Sequence, residues 1–330
     1  MNLENVNKLL IVRLSSLGDI LLTTPFLRSI KIQFPNIDID FVLREEYRDL
    51  LKLNPHLNQI LSFSNISGIV KGLNEEISKN NYDLVIDLQN NLRSKQLLRQ
   101  IRTIKLVFNK RNINKFLLVY FNINRLREPL SIPERYTKTI DGLTLDGKGP
   151  DLYTANKPNL VLSDDSNLIG FCPGSKHYTK MWPVEYFISL GKILHQNDYK
   201  VVLFGGSDDR QICEYISSKL TFAINLCNDN DILQTAADMK MCKTIYCNDS
   251  GLMHTASAVN IPIIAFYGST VKEFGFAPYN SKHLILENNS LSCRPCTHIG
   301  RRNCPKKHFD CMKKISSQTA FDALRLSINK

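Results

Sequence analysis

Apolar and polar positions along the chain follow two patterns, one typical of buried strands and the other of amphipathic helices. Short apolar runs occur at 8–13 (KLLIVR), 37–43 (IDIDFVL) and 82–88 (YDLVIDL). Between the first two, the segment 19–34 carries an apolar residue every three or four positions. Near-continuous apolar runs separated by helices predict parallel strands buried on both faces.

The rest of the first half continues this alternation. The pattern predicts a helix near 45–53, a strand at 59–63 and a helix at 66–79. The segment 141–159 holds three Gly and two Pro and predicts a linker.

The second half repeats the alternation after this linker. Its predicted strands lie at 167–174, 200–206, 223–227, 243–247 and 261–268, and its predicted helices at 184–196, 209–220, 230–240, 251–259 and 317–327. A length of 330 residues is about twice that of a usual domain. We therefore predict two α/β domains, 1–155 and 156–330, each a doubly wound, mostly parallel sheet covered by helices.

Composition narrows the class of protein. With 43% apolar and 22% charged residues, both domains can bury a core, which excludes a disordered chain. No apolar run reaches the roughly 18 residues that span a bilayer, and the N-terminus lacks the features of a signal peptide. We expect a soluble cytoplasmic protein.

The formal net charge of +11 is concentrated in one stretch. From Arg93 to Arg127 there are ten basic residues and no Asp or Glu. Such a segment suits an anionic partner, which leaves nucleic acid, an acidic membrane surface or a charged substrate, although it is also typical of a solvated basic face. A nucleic-acid surface is disfavoured because the aromatic platforms and modules of such proteins are not recognisable.

Nine cysteines fall into two groups. Cys172, Cys213, Cys227, Cys242 and Cys247 are scattered through apolar segments and are expected to be small buried hydrophobic residues. The other four, Cys293, Cys296, Cys304 and Cys311, are clustered and begin with a CxxC pair. A structural zinc site and a set of reduced thiols or disulfides are both compatible with this spacing.

Candidate chemistry lies in the loops that follow strands, because parallel sheets bind ligands at the carboxyl ends of their strands. The loop after the first strand contains Ser15, Gly18 and Asp19, and Asp19 is either an ordinary helix cap or a general base. No GxGxxG motif is present, so a dinucleotide site in the first half is disfavoured.

Three loops of the second half suit an anionic, nucleotide-like ligand. Segment 173–183 carries two Lys, two hydroxyl side chains of Ser and Thr, and the only Trp; 205–209 is GGSDD; and 248–254 is NDSGLMH. Ammonium groups and free N–H groups at a helix start bind phosphate, and a carboxylate accepts from ribose hydroxyls. Two phosphate-suited loops in one half indicate a nucleoside diphosphate.

Three blocks carry a resemblance to a known family. IVRLSSLGDILLTTPFLRSIK, PGSKHYTKMWPVEYF and CNDSGLMHTASAVNIPIIAFYGST resemble the ADP-heptose:lipopolysaccharide heptosyltransferases, glycosyltransferase family 9, over nearly the whole chain. The resemblance implies a GT-B fold, in which two Rossmann-like domains face each other across a cleft. It further implies an inverting, metal-independent transfer of heptose from ADP-L-glycero-D-manno-heptose to the inner core of lipopolysaccharide.

The resemblance also implies residue roles. Asp19 would be the catalytic base, and Lys180 would contact the donor phosphate and sugar and assist catalysis. Acceptor contacts are predicted at Ser15, Gly18 and Arg93. Donor contacts are predicted at Ser175, Thr179, Lys180, Asp208 (or Asp209), Asp249, Ser250, Gly251 and His254.

The implied partners are an ADP-sugar donor and a lipid-linked anionic glycan, with peripheral contact at the inner membrane and no nucleic acid. No cofactor is expected for catalysis, and of the alternatives for the cysteine cluster the metal site would hold a structural zinc. Two alternatives remain open at this point: a nucleotide-sugar epimerase of the same fold, which would convert the donor alone, and a transferase for another donor sugar.

Overall fold

The chain packs into two compact units. The computed structural model describes residues 3–64, 69–126, 130–159 and 167–328. Unit 1 comprises Met1–Arg111 and Leu130–Tyr153, and unit 2 comprises Asn112–Pro129 and Thr154–Lys330.

The division predicted from the sequence, 1–155 and 156–330, differs from these units in one segment. The chain leaves unit 1 after Arg111, contributes a helix to unit 2, and returns at Leu130. The reason is local packing, because Leu118 and Leu126 are buried against Phe274 of unit 2.

The sheet of unit 1 contains five parallel strands in the order β3-β2-β1-β4-β5. They are β1 (Lys8–Val12), β2 (Asp38–Arg44), β3 (Gln59–Phe63), β4 (Leu84–Asp87) and β5 (Ile104–Val107). The residues of β4 and almost all of those of β1 are buried, which explains their continuous apolar runs.

The sheet of unit 2 contains six parallel strands in the order β11-β10-β9-β6-β7-β8. They are β6 (Leu168–Cys172), β7 (Lys200–Leu203), β8 (Ile224–Asn225), β9 (Thr244–Asn248), β10 (Ile263–Tyr267) and β11 (His283–Glu287). This architecture confirms the predicted α/β class with two doubly wound parallel sheets. Strand order reverses between β1 and β4 and between β6 and β9, where sheets of this class bind ligands.

Helices connect the strands of both sheets. The α-helices within the described residues are α1 (Leu17–Leu21), α2 (Thr24–Gln33), α3 (Ile69–Lys79), α4 (Leu92–Leu97), α5 (Asn112–Phe121), α6 (Ile132–Thr137), α7 (Val184–His195), α8 (Arg210–Lys219), α9 (Ile232–Met239), α10 (Gly251–Ala258), α11 (Asp310–Lys313) and α12 (Ser317–Ile328). None of these helices is long and apolar enough to cross a membrane.

The helix predicted over 19–34 is divided into α1 and α2. Pro25 has no N–H to donate, so the carbonyl of Leu21 accepts a hydrogen bond from the Thr24 hydroxyl at 2.7 Å instead. The periodic apolar pattern continues through this break, which is why the sequence alone indicated one helix.

Other differences lie where the apolar signal is weak. The predicted helix at 45–53 is a 3-10 helix at Glu45–Leu50, and residues 66–68 of the predicted helix at 66–79 lie outside the described residues. Strands β5 and β11 and the helices α4, α5, α6 and α11 were not predicted. Most residues of β5 and β11 are exposed or half-buried, because both strands lie at sheet edges, so they lack a long apolar run.

The core of unit 2 is built around the only tryptophan. Trp182 is fully buried, stacks on Phe266 with ring centroids 4.1 Å apart, and donates its indole N–H to the carbonyl of Ile315 at 2.9 Å. Four of the five scattered cysteines are also buried, and burial raises the pKa of each of these thiols: Cys172, Cys213, Cys242 and Cys247. These four behave as predicted, as small apolar residues.

Candidate functional site

In unit 1, the segment that leaves β1 at the point of strand reversal leads into α1, and Asp19 lies in the first turn of this helix. Ser16 is the N-cap of α1, and its backbone N–H and hydroxyl donate to one oxygen of the Asp19 carboxylate at 3.2 and 2.8 Å. The other oxygen pairs with the guanidinium of Arg13 at 2.5 Å. Asp19 is therefore both part of a helix cap and half of an ion pair.

The protonation state of Asp19 follows from these contacts. Burial raises the pKa of the carboxyl, but the charge of Arg13 and the hydrogen bonds from Ser16 outweigh burial, and the pKa lies below its ordinary value. A carboxylate has about four lone-pair positions, and the three donors leave one open. Asp19 is thus ionised at neutral pH and able to accept a proton.

Arg13, which sequence reasoning missed, holds this carboxylate in place. Its side chain is buried and donates to the carbonyl of Leu88 at 2.6 Å and to that of Ser15 at 3.0 Å. Gln89, from the loop after β4, accepts from the N–H groups of Leu14 and Ser15 at 2.9 and 3.2 Å. The loops after β1 and β4 are therefore fixed to each other around Asp19.

Two further side chains of unit 1 lie near this pair. Burial lowers the pKa of the half-buried Lys110, and the nearby positive charge of Arg13 lowers it further. Tyr136 is fully buried, burial raises the pKa of its phenol, and its hydroxyl has no hydrogen-bond partner among the described residues. Sequence reasoning noticed Lys110 only as part of the basic stretch.

The residues predicted to contact the acceptor share this edge of the sheet. Ser15 is half-buried and Gly18 is buried in the Asp19 loop, while Arg93 is exposed near the start of α4, which follows β4. The structure brings Ser15 and Gly18 together with Asp19. Contact of all three with an acceptor stays a prediction.

In unit 2, the corresponding edge holds an ion pair between two predicted donor residues. The ammonium of Lys180, in the loop after β6, lies 2.7 Å from the carboxylate of Asp249, which directly follows β9. The hydroxyl of Thr270 donates to the same Asp249 oxygen at 2.7 Å. In this pair Lys180 is still partly exposed, at the carboxyl ends of the strands. An anion that binds there is able to compete with Asp249 for the ammonium.

Asn248, the last residue of β9, ties these loops together. Its side-chain oxygen accepts from the backbone N–H of Trp182 at 2.8 Å, and its amide donates to the carbonyl of Pro173 at 2.7 Å. Asn248 is completely buried and so anchors both ends of the Lys180 loop to β9. Its role was not predicted, although its place at the end of a buried strand was visible in the sequence.

The predicted anion site at the start of α10 is present as a helix N-terminus. Ser250 is the N-cap, makes no side-chain capping bond, and its buried hydroxyl has no partner within the described residues. Gly251 is half-buried, and His254, three residues further along α10, is buried. All three belong to the first part of α10 or its N-cap, and that helix begins two residues after Asp249.

The remaining predicted donor residues differ in accessibility. Ser175 is half-buried, whereas Thr179 is buried and its hydroxyl donates to Ser269 and accepts from the backbone N–H of Arg301. Thr179 therefore fixes the loop, and its predicted contact with the donor is not supported by its surroundings.

The two alternatives for the ribose-binding acid differ in their surroundings, and a contact of either one with ribose stays a prediction. Asp208 is exposed, while Asp209 is half-buried and accepts from the N–H of Gly206 at 3.1 Å. A Cβ at Gly174 would lie 1.8 Å from the Asp209 carboxylate, so this close approach between the loops after β6 and β7 requires glycine. Asp209 lies closer to the Lys180 loop, and burial raises the pKa of its carboxyl.

The four clustered cysteines lie in the segment before α12. They are free thiols, and the sulfur of Cys293 lies 3.8 Å from the Nε2 atom of His308. Burial raises the pKa of Cys296 and of Cys311, and the neighbouring cysteines add to it. No three His, Cys, Asp or Glu residues in the described ranges are arranged to hold a metal ion, so the structural zinc stays a prediction.

The sequence was also compared with known proteins. The family profile of glycosyltransferase family 9 (heptosyltransferase) matches residues 70–307. The lipooligosaccharide heptosyltransferase 2 of Haemophilus influenzae is 27% identical over 305 residues, which cover 84% of this chain and 88% of that protein.

Two solved structures share the fold over almost the full length. The glycosyl transferase family 9 protein of Veillonella parvula superposes with a TM-score of 0.79 at 24% identity, covering 98% of this chain and 97% of that one. The ADP-heptose LPS heptosyltransferase II of E. coli gives a TM-score of 0.74 at 23% identity, covering 97% and 98%. The resemblance seen in the three sequence blocks is thus confirmed: the chain belongs to glycosyltransferase family 9, the heptosyltransferase family.

Proposed function

We propose that this glycosyltransferase moves a heptose, with inversion, from ADP-L-glycero-D-manno-heptose to the inner core of lipopolysaccharide or a related cell-surface glycan. The relatives named heptosyltransferase support the sugar, and the E. coli relative named for ADP-heptose supports the donor. The observation that carries the proposal is the Lys180–Asp249 pair beside the N-terminus of α10, at the point where strand order reverses.

On the donor side, the chemistry requires positive charge at the diphosphate. Lys180 would exchange its contact with Asp249 for a phosphate oxygen, and the N–H groups at the start of α10 would donate to the same group. The contacts of Lys180 and of these N–H groups with the phosphate become more favourable as negative charge grows on the leaving β-phosphate. They therefore stabilise the transition state more than the bound donor.

On the acceptor side, the chemistry requires a base. An acceptor hydroxyl oxygen forms a bond to the anomeric carbon while the bond from that carbon to the β-phosphate oxygen breaks, and its electron pair leaves with ADP. The hydroxyl proton goes to the open lone pair of Asp19, which Arg13 and Ser16 hold in place. Attack opposite the leaving group inverts the anomeric configuration.

The acceptor in this proposal is an anionic, lipid-linked glycan. Lys110 near Asp19 provides positive charge that suits an acidic sugar or a phosphate, and the rest of the basic stretch from Arg93 to Arg127 supports the same assignment. Such an acceptor would bring the enzyme to the cytoplasmic face of the inner membrane as a peripheral protein.

The proposal needs no metal ion in the reaction, because Lys180 and the α10 terminus would supply the charge stabilisation at the diphosphate. If the cysteine cluster binds zinc, Cys293, Cys296, Cys304 and Cys311 would hold it, and its role would be structural. The zinc would then stabilise the segment before α12 without contacting the donor.

The test is a transfer assay with purified protein, ADP-heptose and a lipopolysaccharide precursor that lacks heptose. We expect ADP release and heptose in the acceptor only when donor and acceptor are both present, and slower transfer from ADP-glucose. Conversion of the donor without acceptor would instead support an epimerase. Equal rates of transfer from ADP-glucose and ADP-heptose would support a glycosyltransferase but contradict the assignment of heptose as the transferred sugar.

A further inference from the structure

Helix α5 is apolar on both of its faces, which is unusual for a helix at the surface of a water-soluble unit. One face carries Leu118, which is buried against Phe274 of unit 2, and Lys115 reaches over the ring of Phe276 at 5.8 Å. The helix is therefore fixed on unit 2 by its inner face, and its outer face is free to contact something else.

The outer face is a continuous apolar and aromatic surface. Its residues follow the helical period, and their exposed fractions are large: Ile113 75%, Phe116 51%, Tyr120 63%, Phe121 61% and, just after the helix, Ile123 47%. The ring of Phe116 contacts those of Tyr120 and Phe121, with centroids 4.7 and 5.8 Å apart. We call these five residues the α5 face. Contiguous exposed apolar patches of this kind mark interaction sites.

The charge around the α5 face selects its partner. No carboxylate occurs in the chain between Arg93 and Arg127, Arg111 directly precedes the helix, and Arg125 is exposed just after it. A second copy of this chain would bring the same positive charge and a net charge of +11, so two α5 faces would repel each other. An anionic surface would be attracted.

From these observations we infer that the α5 face inserts into the interface of a bilayer that contains anionic phospholipid. Helices of this type lie in the membrane plane, with aromatic and aliphatic side chains in the acyl boundary and Lys and Arg at the headgroups. At ten residues α5 is too short to span the membrane, so it would dock the enzyme without anchoring it. The inference rests on the proposed function, because a lipid-linked acceptor requires the enzyme to work at a bilayer.

The test is sedimentation of the full-length protein with phosphatidylcholine vesicles that contain about 30% phosphatidylglycerol, at about 0.15 M salt. The variant Phe116→Gln/Tyr120→Gln replaces two exposed rings by polar residues that favour helix. We expect its partition onto the vesicles to fall about tenfold or more, because insertion of the rings supplies the apolar part of binding.

The matched control is Ile32→Gln/Leu326→Gln, which removes two helical apolar residues of similar exposure, 60% and 61%, outside the α5 face. This control should partition like wild type, and all three proteins should have the same melting temperature. Equal partition of the Phe116/Tyr120 variant and wild type would overturn the inference. A wild-type dimer that the Phe116/Tyr120 substitutions dissociate, seen by sedimentation velocity, would also overturn it in favour of a second copy.

A second measurement separates this inference from the proposed function. Transfer to a deacylated, water-soluble acceptor should be unchanged in the Phe116/Tyr120 variant, because the α5 face would act on the membrane and not on the sugars. If wild type fails to transfer heptose but binds vesicles through Phe116 and Tyr120, the proposed function fails and the docking surface stands. If wild type transfers heptose but does not bind anionic vesicles, only the docking surface fails.

Discussion

Asp19 combines two roles that a single substitution can separate. Asp19→Asn keeps the size of the side chain and its ability to cap α1, but an amide does not accept the acceptor proton, so we expect kcat to fall by about 10²- to 10⁴-fold. The sequence alone suggested little effect on stability. Because Asp19 is the counter-ion of the buried Arg13, we now expect a loss of about 1 to 3 kcal/mol in the free energy of unfolding as well.

The chain offers a matched control for this loss. Asp146 pairs with Arg28 in the same unit at 2.6 Å, with side-chain exposures close to those of the Asp19–Arg13 pair. Arg28 also pairs with Asp151, so Asp146→Asn should lower the melting temperature by less than Asp19→Asn, and it should leave kcat unchanged. If the kcat of Asp19→Asn were within a few-fold of the wild-type value, Asp19 would be a helix cap and not the catalytic base.

Arg13 sets the pH range in which Asp19 acts as a base. Since the folded-state pKa of Asp19 lies below its ordinary value, this carboxylate contributes stability above its unfolded-state pKa, and the contribution is lost as the pH falls through the folded-state pKa. Arg13→Gln removes the positive charge that lowers the pKa of Asp19 but keeps the burial that raises it. The pKa of Asp19 should therefore rise. We expect the acid limb of the kcat/KM profile to move to higher pH; an unmoved limb would show that Arg13 does not tune the base.

Lys180 is predicted to act on both binding and turnover of the donor. Lys180→Ala should raise the donor KM and lower kcat together, because the same ammonium meets the bound diphosphate and the charge of the leaving group. A charge-assisted contact contributes about 1.5 to 3 kcal/mol, which corresponds to a loss of about 10- to 150-fold in kcat/KM. Lys176→Ala, at an exposed position of the same loop, is the control and should behave as wild type. If Lys180→Ala and Lys176→Ala had the same kcat and donor KM, Lys180 would be a solvated loop residue without a role in donor binding or turnover.

At the scale of elements, the cysteine segment 293–311 is held by contacts of its own. Arg294 donates to the carbonyls of Gly268 and Thr270 at 2.6 and 2.9 Å and pairs with Glu287. These bonds fix the segment to the end of β10 and to β11.

We therefore predict that treating the folded enzyme with a chelator leaves turnover unchanged, since these bonds hold the segment, and with it the contact of Arg301 with Thr179 in the Lys180 loop, without a metal ion. The measurement is transfer activity before and after EDTA, with metal analysis and melting temperature on the same samples. Loss of turnover at an unchanged melting temperature, restored by added zinc, would contradict a purely structural role.

At the scale of the whole molecule, the uneven charge should govern attraction to anionic lipid. Arg99 and Arg102 are exposed members of the basic stretch, and each such residue contributes up to about 1 kcal/mol near an anionic surface. We expect Arg99→Glu/Arg102→Glu to weaken binding to anionic vesicles and to flatten its dependence on salt.

The control for this prediction changes the net charge equally at another place. Lys219→Glu/Lys240→Glu reverses two exposed lysines, so both double variants carry +7 instead of +11. If the two variants bind alike, only the total charge matters. If neither differs from wild type, the basic stretch is a solvated face.

The sequence by itself determined the class of fold and the loops in which the chemistry lies. Strands buried on both faces leave uninterrupted apolar runs, and the connections that follow them in a parallel sheet come out at one edge, so local patterns were sufficient to find Asp19 and the loops that hold Lys180 and Asp249. The resemblance to the heptosyltransferase family then singled out Lys180 and Asp249 within these loops. The same patterns failed for β5 and β11, because all their residues are exposed or only partly buried and neither strand carries a long apolar run.

Only the tertiary structure decided which of these residues are partners. The sequence predicts that Arg13 is the last residue of a strand. Its contact with Asp19 depends on how the chain turns after β1, which the sequence pattern does not show. Lys180 and Asp249 meet because β6 and β9 are neighbours in the sheet although they are distant in the chain. The periodicity of apolar residues predicts whether a side chain is buried, but it does not predict which other side chain it contacts. For this reason, the ion pairs and the outer face of α5 could be identified only in the tertiary structure.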